Sequence, residues 1–176
     1  MENIMIDIET LGTSPGCALL SLAAVKFDIK TGEAGETFYQ TIDLNSCIDS
    51  GLTICPDTFK WWLCQSREAQ NDLLSKEGLK LPLVLQLFSN FITEDQIVWG
   101  NSARFDLGIL EYAYKSVNIP VPWKSWNERC VRTLSSLYPD VKKNEKREGI
   151  HHNPLDDCLF QIKYLSKIYQ KAINQG

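Results

Sequence analysis

The sequence predicts an α/β fold: a mixed five-stranded sheet, opened by an antiparallel meander of three strands, continued by parallel strands and flanked by helices. Three observations predict it. Strand-like segments with short turns between them follow one another up to Ile42; apolar spacing then changes to the helical period from Asp57; and beyond Gln96 short apolar strands alternate with helices. Asn3–Ile8 reads as the first strand, and Gly12-Thr-Ser-Pro-Gly16 as the turn that ends it. Ala18–Phe27 is the second strand, Thr31-Gly32 a hairpin turn, and Glu36–Ile42 the third.

A helix starts at Pro56 or Asp57 and runs to Cys64, and Leu83–Phe91 repeats apolar residues at helical spacing. Gln96–Gly100 is a short apolar strand followed by a helix over Asp106–Ser116, which Pro120 and Pro122 close. Arg129–Leu134 reads as the last strand, with a helix near Leu134–Tyr138 and a charged loop over Lys142–Glu148. Pro154–Ala172 is the final helix. No repeat, linker or low-complexity tract interrupts the chain, so residues 1–176 are expected to form one domain, large enough to bury roughly 70% of the surface of the unfolded chain.

Hydrophobic residues make up 44% and charged residues 23%, an ordinary globular composition. No apolar run has the length of a membrane span, and Met1-Glu2-Asn3-Ile4 lacks the basic start of a signal peptide. The expectation is a cytoplasmic protein with no membrane partner, in which the six cysteines stay reduced. No Cys-x-x-Cys pair occurs and the two histidines are adjacent, which argues against structural zinc. A net charge of −4 and a pI near 5.2 exclude a protein that coats nucleic acid with a broad basic face. They leave room for a nucleic-acid enzyme, because cations held in an acidic cleft supply positive charge locally.

Three separated segments each end on an acid. Asp7 and Glu9 are two apart in a strand and project from the same face, where neighbouring carboxylates repel unless a cation lies between them. Asp106 follows the strand ending at Gly100 and opens a helix; an acid there also complements the helix dipole. Asn101 is placed to pin that loop, and Phe105 suits either the core or a base-stacking surface. In the third segment His151 and His152 each have an acid five residues on, Asp156 and Asp157, so two registers are open. Asn153 is a strong N-cap and Pro154 suits the first helical turn, which gives Asp156 a capping and dipole role. Asp157 has no such role and is the better ligand candidate. His152, on the loop side of the cap, has the pKa of a general base working near neutral pH.

Asp7-Ile8-Glu9-Thr10, then Asn101-Ser-Ala-Arg-Phe-Asp106, then His152-Asn-Pro-Leu-Asp-Asp157 resembles the DEDDh (DnaQ-like) 3′–5′ exonucleases, over positions 4 to about 170. Thr58-Phe59-Lys60-Trp61-Trp62 and the His151-His152 segment look like the phage and prophage branch, the exodeoxyribonuclease VIII-like and phage DNA exonuclease A proteins. The resemblance implies a ribonuclease H-like fold and hydrolysis of single-stranded DNA from its 3′ end to nucleoside 5′-monophosphates. It implies two cations per site, Mg²⁺ or Mn²⁺, as oxygen ligands also favour. Asp7, Glu9 and Asp157 would hold the first and Asp7 also the second. Asp106 would act through water, and His152 would be the base. Thr10 and Leu11 fall where the family meets the 3′-terminal nucleotide. The family often has Ala where Pro154 and Cys158 stand here.

DNA and RNA enzymes of this family share all three motifs, so an exoribonuclease acting on RNA 3′ ends is the first alternative. A non-catalytic nucleic-acid-binding accessory domain is the second. Trp61 and Trp62 point about 100° apart on a helix, so one is expected to pack and the other to line the cleft or an interface. Trp61 is taken as a candidate substrate contact, with Asn101 and Phe105. Lys142, Lys143, Lys146 and Arg147 flank the histidine loop, as a solvated segment or as guides for phosphate. Relatives of this family are sometimes dimers, and the stretch Trp123-Lys-Ser-Trp126 suits a homodimer interface or the core.

Overall fold

The computed structural model describes residues 1–74 and 77–174. Its elements in chain order are β1 (Asn3–Thr10), β2 (Leu19–Phe27), β3 (Ala34–Thr41), α1 (Leu44–Asp49), α2 (Pro56–Leu63), α3 (Arg67–Leu74), α4 (Leu81–Phe91), β4 (Ile97–Gly100) and α5 (Ala103–Ser116). A 3₁₀ turn at Ser125–Asn127 then leads into β5 (Glu128–Cys130), α6 (Val131–Leu137), α7 (Pro139–Asn144) and α8 (Pro154–Ile173). The sheet order is β3-β2-β1-β4-β5. β1 pairs antiparallel with β2 and parallel with β4; β2–β3 is antiparallel and β4–β5 parallel. The expected mixed five-stranded sheet is therefore the observed one.

Every residue of β1 is buried, as a central strand covered on both faces requires. Its alternation divides the side chains between two cores. Ile4, Ile6 and Ile8 pack with Leu85 and Phe88 of α4 and with Leu107 and Leu110 of α5. Met5 packs on the other face with Ile162 and Leu165 of α8. Burying one such aliphatic side chain stabilises the fold by roughly 1.5–3 kcal/mol. Asp7 and Glu9 share the parity of Met5, so the sheet itself aims both carboxylates toward α8.

The β2–β3 turn is held by Asp28, whose carboxylate accepts from the Lys30 and Thr31 amides at 2.7 and 2.9 Å, with Gly32 in the left-handed region at φ 78°. The Cys55-Pro56 boundary starts α2 with proline in its first turn.

Three expectations need correction. The last strand, expected over Arg129–Leu134, is only Glu128–Cys130, because the buried Val131 already begins α6. A short apolar run does not separate strand from helix by its period. The segment Lys142–Glu148 is not wholly loop: Pro139 and Asp140 open α7, which places Lys142 and Lys143 in its last turn, where the dipole favours cations. α5 starts at Ala103, so Asp106 lies within its first turn rather than at its beginning. α1 and α3 were not anticipated. α1 has only six residues and is held by the Asp43 carboxylate, which accepts from the Asn45 amide at 3.0 Å. Among the described residues no helix is long and apolar enough to cross a membrane.

Candidate active site

The C-terminal end of β1, the start of α5 and the start of α8 converge on a cleft of about 880 Å³. This is the end of an α/β sheet at which ligands bind. β1 delivers Asp7 and Glu9, and a register shift between Glu9 and Thr10 bends the strand just where they emerge. α5 delivers Asp106, which is 3% exposed and accepts from the Ser102 amide at 2.9 Å. Gly100 lets it approach: a Cβ there would fall 2.9 Å from the Asp106 Cβ.

α8 begins as its sequence dictates. The Asn153 side chain accepts from the Leu155 and Asp156 amides, both at 3.0 Å. The Asp156 carboxylate then turns back to accept from the Ile150 amide at 2.7 Å. Gly149, at φ 80°, makes that possible, since any Cβ there would collide with the Asp156 carboxyl. Asp156 thus braces the histidine loop. Asp157 points the other way, into the cleft. Glu9, His152 and Asp157 each offer a ligand atom, and these atoms lie within 4.8 Å of one another. His152 itself is held in the left-handed region at φ 67°, a rare conformation for a residue with a Cβ. His151 also reaches the cleft, with its ring centroid 4.0 Å from that of His152.

The aromatic pair of α2 divides its roles. Trp62 is buried and donates its indole N–H to the Thr10 carbonyl at 2.9 Å, which ties α2 to the end of β1. Trp61 is 43% exposed, lines the cleft and stands edge-on to His152 at a centroid distance of 4.9 Å. Thr10, Asn101 and Phe105 line the same cleft. The Thr10 hydroxyl is occupied, donating to the Gly12 carbonyl at 2.7 Å. Leu11 is not brought there. Its side chain is buried in the core, its amide donates to Ala18 and its carbonyl accepts from Cys55. A leucine following a metal-binding strand reads equally well as core, and here the core takes it. Trp123 is buried with its indole N–H on the Glu128 carboxylate at 2.9 Å, whereas Trp126 is 72% exposed.

Gln161 is not among the expected site residues, and Arg147, expected as part of a solvated segment or as a guide for phosphate, has a partner in the cleft. Gln161, one helical turn beyond Asp157, donates to the Asp7 carboxylate at 2.8 Å, while its carbonyl oxygen is buried without a partner. A buried glutamine at i+4 on an otherwise apolar helix face was the available signal. Arg147 forms an ion pair with Asp157 and lies over the Phe160 ring, 5.1 Å from its centroid.

Burial, then repulsion from Asp106 and the other acids, pushes the Asp7 carboxyl well above its ordinary range. Burial and then Asp157 do the same to Glu9. Burial raises Asp106 to about 7. In contrast His152 is pushed below its ordinary value, first by burial and then by His151, which keeps it neutral at physiological pH. Among the acids, the charges of Arg147 on Glu9 and of Arg132 on Asp106 offset only part of the cost of burial, since the carboxyls stay raised. The buried Asn101 side-chain oxygen is without a hydrogen-bond donor. A divalent cation fits these residues: the carboxylate oxygens of Asp7, Glu9, Asp106 and Asp157 are hard ligands, and His152 beside them is left free to exchange a proton.

The family model described as the 3′–5′ exoribonuclease Rv2179c-like domain matches residues 2–169. The exodeoxyribonuclease of enterobacteria phage T4 is 24% identical, across 93% of this chain and 88% of its own length. In fold, the chain is similar to Pop2p of S. pombe in its Mg²⁺- and Mn²⁺-bound form, with a TM-score of 0.65 at 12% identity over 99% of this chain and 85% of that one. It is also similar to the nuclease domain of 3′hExo bound to rAMP, described as a DEDDh family member, with a TM-score of 0.59 at 12% identity over 99% of this chain and 94% of that one. Because the family model spans nearly the whole chain, the protein belongs to the Rv2179c-like 3′–5′ exonuclease family, within the DnaQ-like exonucleases.

Proposed function

We propose that the protein removes nucleotides one at a time from the 3′ end of single-stranded DNA and releases nucleoside 5′-monophosphates. The observation that carries this reading is the meeting of Glu9, His152 and Asp157 within 4.8 Å, with Asp7 and Asp106 buried beside them. Asp7, Glu9, Asp106 and Asp157 would hold two divalent cations, Mg²⁺ or Mn²⁺. When bound, such ions place positive charge on the scissile phosphate and lower the pKa of water. His152, kept neutral by its surroundings, takes the proton from the attacking water. Gln161 holds the Asp7 carboxylate in place through the bond that it donates. The Trp61 face offers a sequence-tolerant stacking surface for a terminal base, with Phe105 and Asn101 lining the same cleft.

DNA is preferred as the substrate because the phage T4 relative, aligned over nearly both full lengths, is an exodeoxyribonuclease. A second reading, RNA 3′ ends, is favoured by the exoribonuclease description of the matching family. A time course on matched 5′-labelled DNA and RNA single strands with Mg²⁺ or Mn²⁺ decides between them. A one-nucleotide ladder strongest on DNA is the expected result, and a ladder mainly on RNA would move the substrate to the second reading. Release of 3′-phosphates, or no ladder on either strand, would overturn the reaction itself.

Trp61→Ala is expected to raise KM for a single strand by about 5- to 100-fold, since stacking of one base contributes about 1–3 kcal/mol. Trp61→Phe should recover most of it. An unchanged KM in Trp61→Ala would remove this residue from the substrate contacts.

A further inference from the structure

A second groove, of about 420 Å³, opens beside the active-site cleft over α6 and α7. The two share Arg132, Lys142 and Phe160 along their common edge, so the groove continues the cleft. Beyond that edge it is lined by Ser135, Ser136 and Lys143. Its ionisable side chains are therefore all cationic. None of Arg132, Lys142 and Lys143 has a carboxylate at ion-pair distance among the described residues. Lys142 instead lies over the Tyr164 ring, with its ammonium 5.3 Å from the centroid.

The groove on the other flank, behind α5, is a built-in contrast. It has about 530 Å³, shares no lining residue with the cleft, and sets Arg104 and Lys115 against Glu111 and Glu128. Lys115 is already bound to Glu111 at 2.7 Å. An anionic strand leaving the cleft meets balanced charge there and, over α6–α7, cationic side chains with no carboxylate at ion-pair distance among the described residues. In a protein of net charge −4, that local excess is what an anion would detect.

We infer that the α6–α7 groove is a phosphate track: it binds the sugar-phosphate chain upstream of the 3′-terminal nucleotide, with Lys142 and Lys143 on backbone phosphates and Phe160 at the junction with the cleft. The inference rests on the exonuclease reading of that cleft. It assigns the groove to a single-stranded phosphodiester, DNA or RNA. Phosphate contacts of this kind carry no base specificity and make the enzyme prefer longer strands to short ones.

The test compares a fluorescent dodecamer with a trinucleotide, each as DNA and as RNA. Binding is read by anisotropy in EDTA and KM is read separately with Mn²⁺. The wild type should bind the dodecamer at least about tenfold more tightly than the trinucleotide, and Lys142→Gln/Lys143→Gln should bring the two within about threefold. The slope of log affinity against log salt should fall by about 1.4 in that variant, the counterions released by two phosphate contacts on a single strand. Arg132 is left intact because its charge also reaches Asp106. Arg104→Gln/Lys115→Gln, in the neutral groove, should keep the full length preference. Retention of both the length preference and the salt slope in the α6–α7 variant would overturn the track. Absence of hydrolysis by the wild type would instead overturn the nuclease reading, and binding in EDTA would still judge the groove. A single Lys143→Glu variant, on the exposed last turn of α7, repeats the test with a charge reversal should the double variant fold poorly.

Discussion

Asp157→Asn is expected to leave less than about 1% of wild-type 3′-end hydrolysis, whereas Asp156→Asn should keep most of it. The two acids are adjacent at the start of α8 but do different work. The Asp156 carboxylate is spent on the Ile150 amide, a bond that the carbonyl oxygen of asparagine can also accept. Asp157 contributes a ligand atom to the group with Glu9 and His152, and asparagine there removes a charge that a divalent cation needs. Changing a residue that merely supports a metal ligand lowers activity by about 10- to 100-fold, so loss of a ligand itself should reach the upper end or beyond. Initial rates on a 5′-labelled single strand, with circular dichroism to confirm folding, give the comparison. A larger loss in Asp156→Asn than in Asp157→Asn would shift the site to the other register, with His151 as the base.

That register shows how far sequence reasoning reached. The Asn153 cap was legible because cap chemistry is local: one side chain and the two amides that follow it. It gives Asp156 a place in the capped first turn of α8 without knowledge of the fold. The sheet was legible for the same reason, since alternation in β1 and the Asp28 turn depend on near neighbours. What was not legible depends on contacts distant in sequence. Gln161 matters through Asp7, 154 positions away. Gly100 matters through the Asp106 side chain that packs against it. Leu11 went to the core because Ala18 and Cys55 hold its backbone on either side, a pairing that no local pattern announces. α7 is the exception: Pro139 and Asp140 are local start signals, but the run of lysines behind them read as loop.

Asp7→Asn should make the protein more stable than the wild type in chelator and less stable than it in Mn²⁺. Asp7, Glu9 and Asp106 are each 9% exposed or less, and among the described residues none forms an ion pair; cations reach them only at longer range, Arg147 acting on Glu9 and Arg132 on Asp106. Asparagine keeps an oxygen for the Gln161 side chain and removes one of the repelling charges. Relief of this kind is worth about 1–3 kcal/mol, or a rise in Tm of roughly 3–10 °C for a chain of this size.

The pH dependence follows with a definite sign. The folded-state pKa values of these acids are raised, so the folded protein holds protons that the unfolded chain has released between the ordinary carboxylate range and, for Asp106, about 7. Stability in EDTA should therefore fall as pH rises through that window, from about pH 4 to about pH 7, and fall less in Asp7→Asn. Mn²⁺ reverses the order because a cation binds the ionised carboxylates of the folded state alone, adding about 2.7 kcal/mol at a hundredfold excess over Kd and more as pH rises. Paired melting curves with EDTA or Mn²⁺ read all of this. Should Asp7→Asn melt below the wild type in EDTA and gain as much from Mn²⁺, Asp7 would be a structural acid, and the strain that this buried cluster stores would have to be relieved by something other than metal.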